Sequence, residues 1–275
     1  MPHFRRFQML WLSALFGSTS LYAQPFYTDD PATTEPDKLH VAIFDEFDGL
    51  QSSQYPDLRQ NTANFGVSYS PVRTLELDVA APYVTTYRTA GAQTARGVGD
   101  AELGAKWNLH ETPPDTTLPA LAVSLYVELP TGDARQGLGS GLTDYALNFI
   151  LQKPLSEATR INVNLGLLFA GNTITEAAGI QTRRGQVYTG GISLLHDATS
   201  RLTWGGEIYG GISSAGSDKT QLQGLLGAQY AIRDGLSLCV GVLGGKYGAT
   251  PQIGGQIGVT IDLPDVLGSS PRAAQ

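Results

Sequence analysis

Short segments in which apolar and polar side chains alternate recur along most of this chain. In residues 75–83, 101–109 and 121–129 every second side chain is apolar, and the residues between them include Glu, Asp and Lys. Because successive side chains of a strand point to opposite faces, this alternation predicts strands with one apolar and one polar face. Such segments of about ten residues are typical of strands that cross a membrane at a tilt. Further examples bring the expected number of strands to about twelve, and they lie at residues 39–47, 61–70, 143–152, 161–169, 186–195, 201–211, 220–230, 235–243 and 253–261.

The lengths of the connections between these segments also alternate. If the first strand runs outward, the inner connections are short, at residues 70–74, 110–118, 153–159, 196–200 and 232–235. The outer connections are mostly longer, at residues 48–60, 85–98, 130–142, 171–185, 212–219 and 244–250. Short periplasmic turns and longer external loops are expected of an outer-membrane barrel, whereas a soluble sandwich has no reason to keep one end's loops longer.

The rest of the sequence leaves a barrel as the way to span a membrane. After residue 23, no stretch approaches the ~20 consecutive apolar residues that a membrane helix needs. Only 16% of the residues are charged and 33 of 275 are Gly, a composition that favours antiparallel β-structure over helices. The chain is therefore predicted to be all-β: a transmembrane antiparallel β-barrel of about twelve strands that lies in the outer membrane.

The N-terminus has the features of an export signal. Two Arg at positions 5 and 6 precede an apolar stretch at residues 7–17, and small residues follow up to Ala23. We interpret residues 1–23 as a signal peptide that is removed, residues 24–263 as the barrel and residues 264–275 as a polar C-terminal tail. Removing residues 1–23 takes away two Arg and no acidic residue, which lowers the formal net charge from −7 to −9.

Charge and cysteine content exclude several other classes of protein. An acidic exported chain is a poor nucleic-acid binder, so the expected partners are outer-membrane lipid or lipopolysaccharide and a small-molecule solute. Cys239 is the only cysteine, so neither an intramolecular disulfide nor a thiolate metal cluster can form. No nucleotide-binding motif accompanies the glycines at 137, 139 and 141, which are typical of a flexible or constricting external loop. We expect no cofactor, and the sequence does not specify an oligomeric state.

Three motifs in this order resemble one known family. They are residues 25–31 (Pro-Phe-Tyr-Thr-Asp-Asp-Pro), residues 98–107 (Val-Gly-Asp-Ala-Glu-Leu-Gly-Ala-Lys-Trp), and residues 128–133 (Glu-Leu-Pro-Thr-Gly-Asp) with the glycines at 137–141. The chain resembles the family labelled as outer-membrane transporters of the meta-cleavage pathway of phenol degradation. That resemblance implies a barrel and a role in the passage of aromatic or other apolar compounds.

The polar faces of the strands provide the candidate site residues. The alternation places seven carboxylates and one lysine on the inner face: Glu76, Asp78, Asp100, Glu102, Lys106, Glu128, Asp144 and Glu207. Unpaired carboxylates are costly in a dry interior, so either water fills the lumen or basic loop residues fold in to pair with them. The loop candidates for such gating are Arg88, Arg96, Asp133 and Arg135. A charged network that plugs the barrel and a path that prefers cations both remain open.

The acidic N-terminal motif and the histidines allow other interpretations. Asp29, Asp30 and Asp37 lack the Gly-centred loop of calcium sites, so we interpret this segment as solvated or turn-forming, with a periplasmic lid as the alternative. Some outer-membrane barrels are hydrolases, but the chain has no Gly-x-Ser-x-Gly motif, and we predict a non-enzyme. The primary prediction is thus an outer-membrane channel or transporter for small, hydrophobic or aromatic molecules. A non-conducting structural or adhesive barrel and an outer-membrane hydrolase are the alternatives.

Overall fold

A computed structural model describes residues 25–36, 38–54, 57–88, 94–112, 118–176, 179–214, 220–247 and 250–264. The predicted signal peptide at 1–23 lies outside these residues, as does the predicted tail at 264–275 except for Pro264, which the structure places in the last strand. The strands are β1 Lys38–Gly49, β2 Asp57–Val72, β3 Leu75–Arg88, β4 Ala95–Val98, β5 Ala101–His110, β6 Ala120–Leu129, β7 Asp144–Pro154, β8 Thr159–Glu176, β9 Gly179–Asp197, β10 Leu202–Ser213, β11 Gln221–Arg233, β12 Leu236–Lys246 and β13 Ile253–Pro264. Among the described residues, no helix is long and apolar enough to cross a membrane.

The strands form one antiparallel sheet that closes on itself. Consecutive strands pair with each other, except for β4 and β5, and β1 pairs with both β2 and β13. β4 and β5 both pair with β3 and are separated only by Gly99 and Asp100, so together they make one strand of the wall. The described residues therefore form a closed barrel of twelve wall strands, which confirms the predicted fold. Closure removes the unpaired edges that would otherwise face lipid.

The outer surface of the barrel is apolar along the strands. In β6, Leu125 is 50% exposed on the outside, whereas its neighbour Ser124 is 1% exposed on the inside. Large exposed side chains of the same kind lie on the other strands: Leu77, Val79, Leu103, Phe149, Leu165, Ile208, Leu226, Val242 and Ile257. An apolar exterior around a closed barrel is the arrangement that allows strands to lie in hydrocarbon.

The structure corrects the bounds of two outer connections. Residues 171–185, which we expected to be a loop, continue β8 and β9 as a hairpin with only residues 177 and 178 between the strands. Residues 85–98 likewise contribute the end of β3 and all of β4. The turns at 73–74, 155–158, 198–201 and 234–235 are short, and we call their side of the barrel the short-turn end. The opposite side is the long-loop end.

The N-terminal segment is where the structure departs most from expectation. Residues 25–31 and Thr34 are buried, although no described strand includes them. The expectation of a solvated segment is therefore wrong, because these residues fold back into the barrel. The alternative of a turn-forming segment agrees with the hydrogen bond of 2.9 Å from the backbone N–H of Ala32 to Asp30 Oδ1. We call residues 25–36 the plug segment.

Candidate functional site

The plug segment crosses the lumen from the short-turn end to the middle of the barrel. Near the short-turn end, Thr33 Oγ1 donates a hydrogen bond of 2.7 Å to the carbonyl oxygen of Arg73 in the β2–β3 turn. At its far end, the carbonyl oxygen of Pro25 accepts a hydrogen bond from Gln256 on β13. Between these points the segment contacts wall strands on several sides of the barrel. The lumen of this protein is therefore occupied by its own chain.

Glu207 on β10 is the main acceptor for the inner end of the plug segment. Its carboxylate accepts hydrogen bonds from the backbone N–H groups of Tyr27 and Thr28, both at 2.8 Å, and from Thr28 Oγ1 at 2.7 Å. Hydrogen bonds to an ionised group are shorter and stronger than neutral ones. A single inward carboxylate thus satisfies two backbone donors that have no strand partner.

A second cluster holds the middle of the plug segment against β3 and β5. Lys106 is fully buried, and its Nζ lies 3.3 Å from Asp29 Oδ1, from Glu76 Oε1 and from the carbonyl oxygen of Asp30. Glu76 also accepts hydrogen bonds from the backbone N–H of Thr34 at 2.6 Å and from its hydroxyl at 2.7 Å. A buried charge is tolerated when it is paired in this way. The inward lysine that the alternation predicted therefore ties the plug segment to the wall.

Tyr27 connects two distant parts of the wall. Its backbone is bound to Glu207 on β10, while its hydroxyl donates a hydrogen bond of 2.7 Å to Glu46 Oε2 on β1. Its ring lies 6.1 Å from the ring of Tyr209, tilted by 31°. Burial, and then the nearby carboxylate of Glu46, raise the pKa of Tyr27 well above its ordinary value, so the phenol stays neutral and acts as a donor.

Two inward glycines make room for the plug segment. A Cβ added at Gly191 would meet the methyl group of Thr28 and would lie 2.9 Å from Tyr209 Cδ2. A Cβ added at Gly227 would lie 2.5 Å from Pro25 Cγ. Both distances are shorter than an ordinary carbon–carbon contact. The wall is therefore shaped to the segment that it holds.

Changing Gly191 to Ala is expected to loosen the plug segment. The added methyl group overlaps Thr28, and overpacking of this kind typically costs about 1 to 3 kcal/mol. The matched control is Gly190→Ala on the outer face of β9, where the nearest atom would lie at an ordinary 3.6 Å. In planar bilayers, the Gly191→Ala protein should show current more often than the wild type, and the Gly190→Ala protein should not. Equal behaviour of the two variants would contradict the fit between plug and wall.

The outer loop at residues 130–143 folds into the opposite mouth of the barrel. Asp100, which separates β4 from β5, accepts backbone hydrogen bonds from Gly132 at 2.8 Å and from Ser140 at 2.5 Å. Leu138 packs inside with Val84 and Ala95. Gly139 lies so close to the Asp100 carboxylate that a Cβ there would overlap it. The loop thus narrows the mouth through contacts with Asp100.

A row of carboxylates lies beside this loop on three neighbouring strands. Glu102 on β5 pairs in register with Glu128 on β6, which pairs with Asp144 on β7. Asp144 is buried and the two glutamates are partly exposed. We call these three residues the acidic row. Asp78 is buried on β3, beside the strand that carries Glu102.

The predicted gating residues lie near the long-loop end, and their described contacts are with groups other than the inward carboxylates. Arg88 Nε forms an ion pair of 2.8 Å with Asp57, between the outer ends of β3 and β2. Arg96 and Arg135 are exposed. Hydrogen bonds from the Gln136 side chain and from the Arg135 backbone hold the pKa of Asp133 below its usual range. Lys106 and the donors of the plug segment thus bind Glu76 and Glu207, and the backbone of the outer loop binds Asp100, rather than these arginines.

Several residues of the site were not predicted from the sequence. Tyr27 and Thr28 are the residues through which the plug segment binds Glu207. On the wall, Asn108 Nδ2 donates a hydrogen bond of 2.8 Å to the carbonyl oxygen of Pro31. Glu46 and Asp48 on β1 are buried on the inner face as well. The alternation of β1 could have identified both carboxylates, because apolar Phe47 stands between them in the sequence. The structure places Phe47 on the exposed outer face.

Two histidines that a hydrolase could use, His40 and His196, lie at the short-turn end of the barrel. His40 Nδ1 is 2.6 Å from Asp262 Oδ1, and its cross-strand neighbour on β2 is Ser68. His196 Nδ1 is 3.0 Å from Thr159 Oγ1. Both histidines lie at the short-turn end, away from the long-loop rim where a lipase would meet misplaced lipid. Within the described residues, no group of His, Cys, Asp and Glu has the geometry to hold a metal ion.

A closed barrel with an apolar exterior and a polar, charged lumen defines a transmembrane β-barrel of the outer-membrane class. Within that class, the chain belongs to the family described as "Putative MetA-pathway of phenol degradation", whose model matches residues 29–259. The match begins inside the plug segment and ends in β13, so it includes nearly all of the lumen. A comparison with curated proteins finds no match.

Solved structures share the fold at low sequence identity. An outer membrane channel from Pseudomonas putida F1 is 15% identical with a TM-score of 0.67, over 85% of this chain and 98% of that one. The NanC porin is 10% identical with a TM-score of 0.56, over 81% and 100%. The KdgM porin in complex with disordered oligogalacturonate is 11% identical with a TM-score of 0.53, over 82% and 99%. These similarities extend across nearly the whole barrel and establish the fold.

Proposed function

We propose that this protein is a channel for small molecules whose lumen is closed by the plug segment. The observation that carries the proposal is the way the segment is held. Within the described residues, residues 25–36 belong to no strand, and side chains such as Glu207, Lys106 and Glu76 bind them. The segment can leave the lumen without breaking the wall, because the hydrogen bonds of the sheet do not depend on it.

The family supports the kind of solute that we propose. Its description refers to phenol degradation, and the related P. putida protein is a channel, so small aromatic or other apolar molecules are the proposed cargo. The KdgM porin was solved with an oligogalacturonate, which is a polyanion. The acidic row of this chain would repel such an anion, so the proposed cargo is neutral or cationic.

The lumen should favour cations once the plug segment is absent. Glu102 and Glu128 are cross-strand neighbours beside the inserted loop. Salt screens a charge beyond about 8 to 10 Å, so ions in a path narrower than this still feel the charge of the two glutamates. Reversal potentials under a salt gradient in planar bilayers measure this preference in a variant that lacks residues 25–36. Adding Glu102→Gln and Glu128→Gln should lower the cation preference, while exposed Asp133→Asn should change it little. Anion preference before these changes, or no effect of them, would contradict the proposed path.

A filled lumen also supports a second candidate, a non-conducting barrel that stabilises the envelope. The specific observation is that contacts hold the plug segment on different sides of the wall, at β3, β5, β10 and β13. If this function is correct, the wild-type protein never conducts under any condition that leaves it folded. Conductance of the wild-type protein in planar bilayers distinguishes the two functions.

A further inference from the structure

An apolar patch interrupts the polar inner wall of the barrel. Leu195, Tyr209, Leu225 and Leu243 point inward from the neighbouring strands β9, β10, β11 and β12, and all four are buried. The inward residues of β3, β5, β6 and β7 include more charged groups, such as Glu76, Asp78 and Lys106, beside a separate apolar cluster that contains Tyr126 and Ala146. In this structure Phe26 and Tyr27 of the plug segment cover the patch.

The side chain of Tyr27 on this patch is chemically a phenol bound to a carboxylate. Its hydroxyl donates to Glu46 Oε2 at 2.7 Å, and its ring lies against Tyr209 at 6.1 Å. Glu46 is itself only 4% exposed, so its carboxylate is a buried acceptor at a fixed distance from an apolar surface. An apolar surface with a few well-placed polar groups is the usual composition of a small-molecule site.

We propose that this patch and Glu46 form a binding site for a free hydroxylated aromatic ring, and that Tyr27 occupies the site when the channel is closed. The inference rests on the proposed channel function, for which it names the solute class. A phenol that binds in the lumen must take the place of Tyr27. The solute therefore competes with the plug segment and favours its release.

The chemistry of the site selects between similar molecules. A ring without a hydroxyl, such as toluene, cannot replace the hydrogen bond that Tyr27 donates to the buried carboxylate of Glu46, and the loss of that bond is costly. A hydroxyl without an aromatic ring, such as cyclohexanol, loses the ring contact with Tyr209. A benzoate anion meets the carboxylates of Glu46, Asp48 and Glu207, which repel it. Phenol satisfies all three conditions and is the simplest probe of the class.

The covalent attachment of Tyr27 determines how much phenol is needed. A tethered group on a short flexible linker competes with an effective concentration in the millimolar range. Removing the tyrosine side chain should therefore tighten phenol binding by about tenfold or more, because the site is then no longer occupied. Removing the Glu46 carboxylate as well should weaken phenol binding again by about tenfold or more, since a hydrogen bond to a charged group is lost.

The first experiment measures binding of phenol by calorimetry to the purified protein in detergent. We expect weak binding to the wild type, about tenfold tighter binding to Tyr27→Ala, and loss of that gain in Tyr27→Ala with Glu46→Leu. Toluene and cyclohexanol should bind Tyr27→Ala more weakly than phenol does. Equal binding of the three molecules, or no effect of Glu46→Leu, would overturn the site. A heat-dependent shift in gel migration checks that each variant is folded.

The second experiment tests competition with an intact Tyr27. The variant Pro25→Cys, in a Cys239→Ala background, reports release of the plug segment through the rate at which its new thiol reacts with a maleimide. Millimolar phenol should raise this rate, whereas cyclohexanol at the same concentration should not. An unchanged rate would overturn the proposed competition. Because neither experiment uses conductance, phenol binding in a protein that never conducts would contradict the channel function alone.

Discussion

Deletion of residues 25–36 is expected to raise the single-channel conductance well above that of the wild-type protein. The segment fills the half of the lumen that lies nearer the short-turn end. A twelve-stranded barrel has a wider lumen than an eight-stranded barrel, whose interior is filled by side chains. Water and ions should occupy the space that it leaves. Planar-bilayer recordings of the purified variant beside the wild type measure the effect. The deletion leaves the strands of the wall intact, and migration of unboiled and boiled samples checks that the barrel is folded.

A single substitution should produce a graded form of the same effect. Glu207→Ala removes three hydrogen bonds to Tyr27 and Thr28. Loss of even one hydrogen bond to a charged group shifts the ratio of docked to released plug by about tenfold or more. The open fraction should therefore rise in Glu207→Ala and stay near wild type in Thr33→Val, which loses only one contact at the exposed turn. A folded deletion variant that conducts no better than the wild type would contradict the plug.

Leu125→Arg is expected to impair assembly of the barrel strongly. Leu125 lies at the centre of β6 on the outer face, and an arginine at the bilayer midplane costs about 2 to 4 kcal/mol. The matched control is Leu118→Arg, an equally exposed leucine just before β6 at the short-turn end. Near an interface the same change costs only about 0 to 1 kcal/mol. The yield of folded, heat-modifiable protein in outer-membrane fractions compares the two variants.

Equal tolerance of arginine at positions 118 and 125 would mean that the two residues lie at the same depth or in water. Either outcome would contradict the membrane position of the barrel, because the cost of a charge depends on depth in the hydrocarbon. The comparison does not depend on the state of the plug segment, since Leu125 points away from the lumen and Leu118 is an exposed residue outside the strands. It therefore separates an error in the membrane assignment from an error in the account of the lumen.

The wall could be predicted from the sequence because the information for it is local. The alternation of polar and apolar neighbours, such as Ser124 and Leu125, indicates which side chains of a strand face the lumen. In the structure Ser124 is buried on the inside and Leu125 is exposed on the outside. The hairpin of β8 and β9 could not be bounded in the same way. Its outer part, at residues 171–185, is mostly polar and glycine-rich, so its composition is also typical of a loop, and only the pairing reveals it as strand.

The position of the plug segment in the lumen could not be predicted from the sequence, because its contacts are with residues that are distant in the chain. Tyr27 binds Glu207, which is 180 residues away in the chain, and residues 25–36 have no periodicity that would indicate a partner. A signal was nevertheless present. Seven inward carboxylates with one clear lysine required additional donors, and the segment beginning Pro-Phe-Tyr-Thr-Asp-Asp offers backbone N–H groups and hydroxyls. Loop arginines and water were the donors expected from the sequence, whereas in the structure the N-terminal segment supplies donors to Glu76 and Glu207 and the outer-loop backbone supplies them to Asp100.

The measurement that tests a plugged lumen most directly is the formation of a disulfide between the plug segment and the wall. The ideal Cβ at Gly227 lies 3.1 Å from Pro25 Cβ, close to the separation of about 3.5 to 4.5 Å in disulfides. In a Cys239→Ala background, Pro25→Cys with Gly227→Cys should cross-link, as detected by mass spectrometry. Pro25→Cys with Leu226→Cys, whose second cysteine lies on the outer face, should not. Absence of the first cross-link in folded protein, or equal yields at 226 and 227, would contradict a lumen closed by its own N-terminal segment.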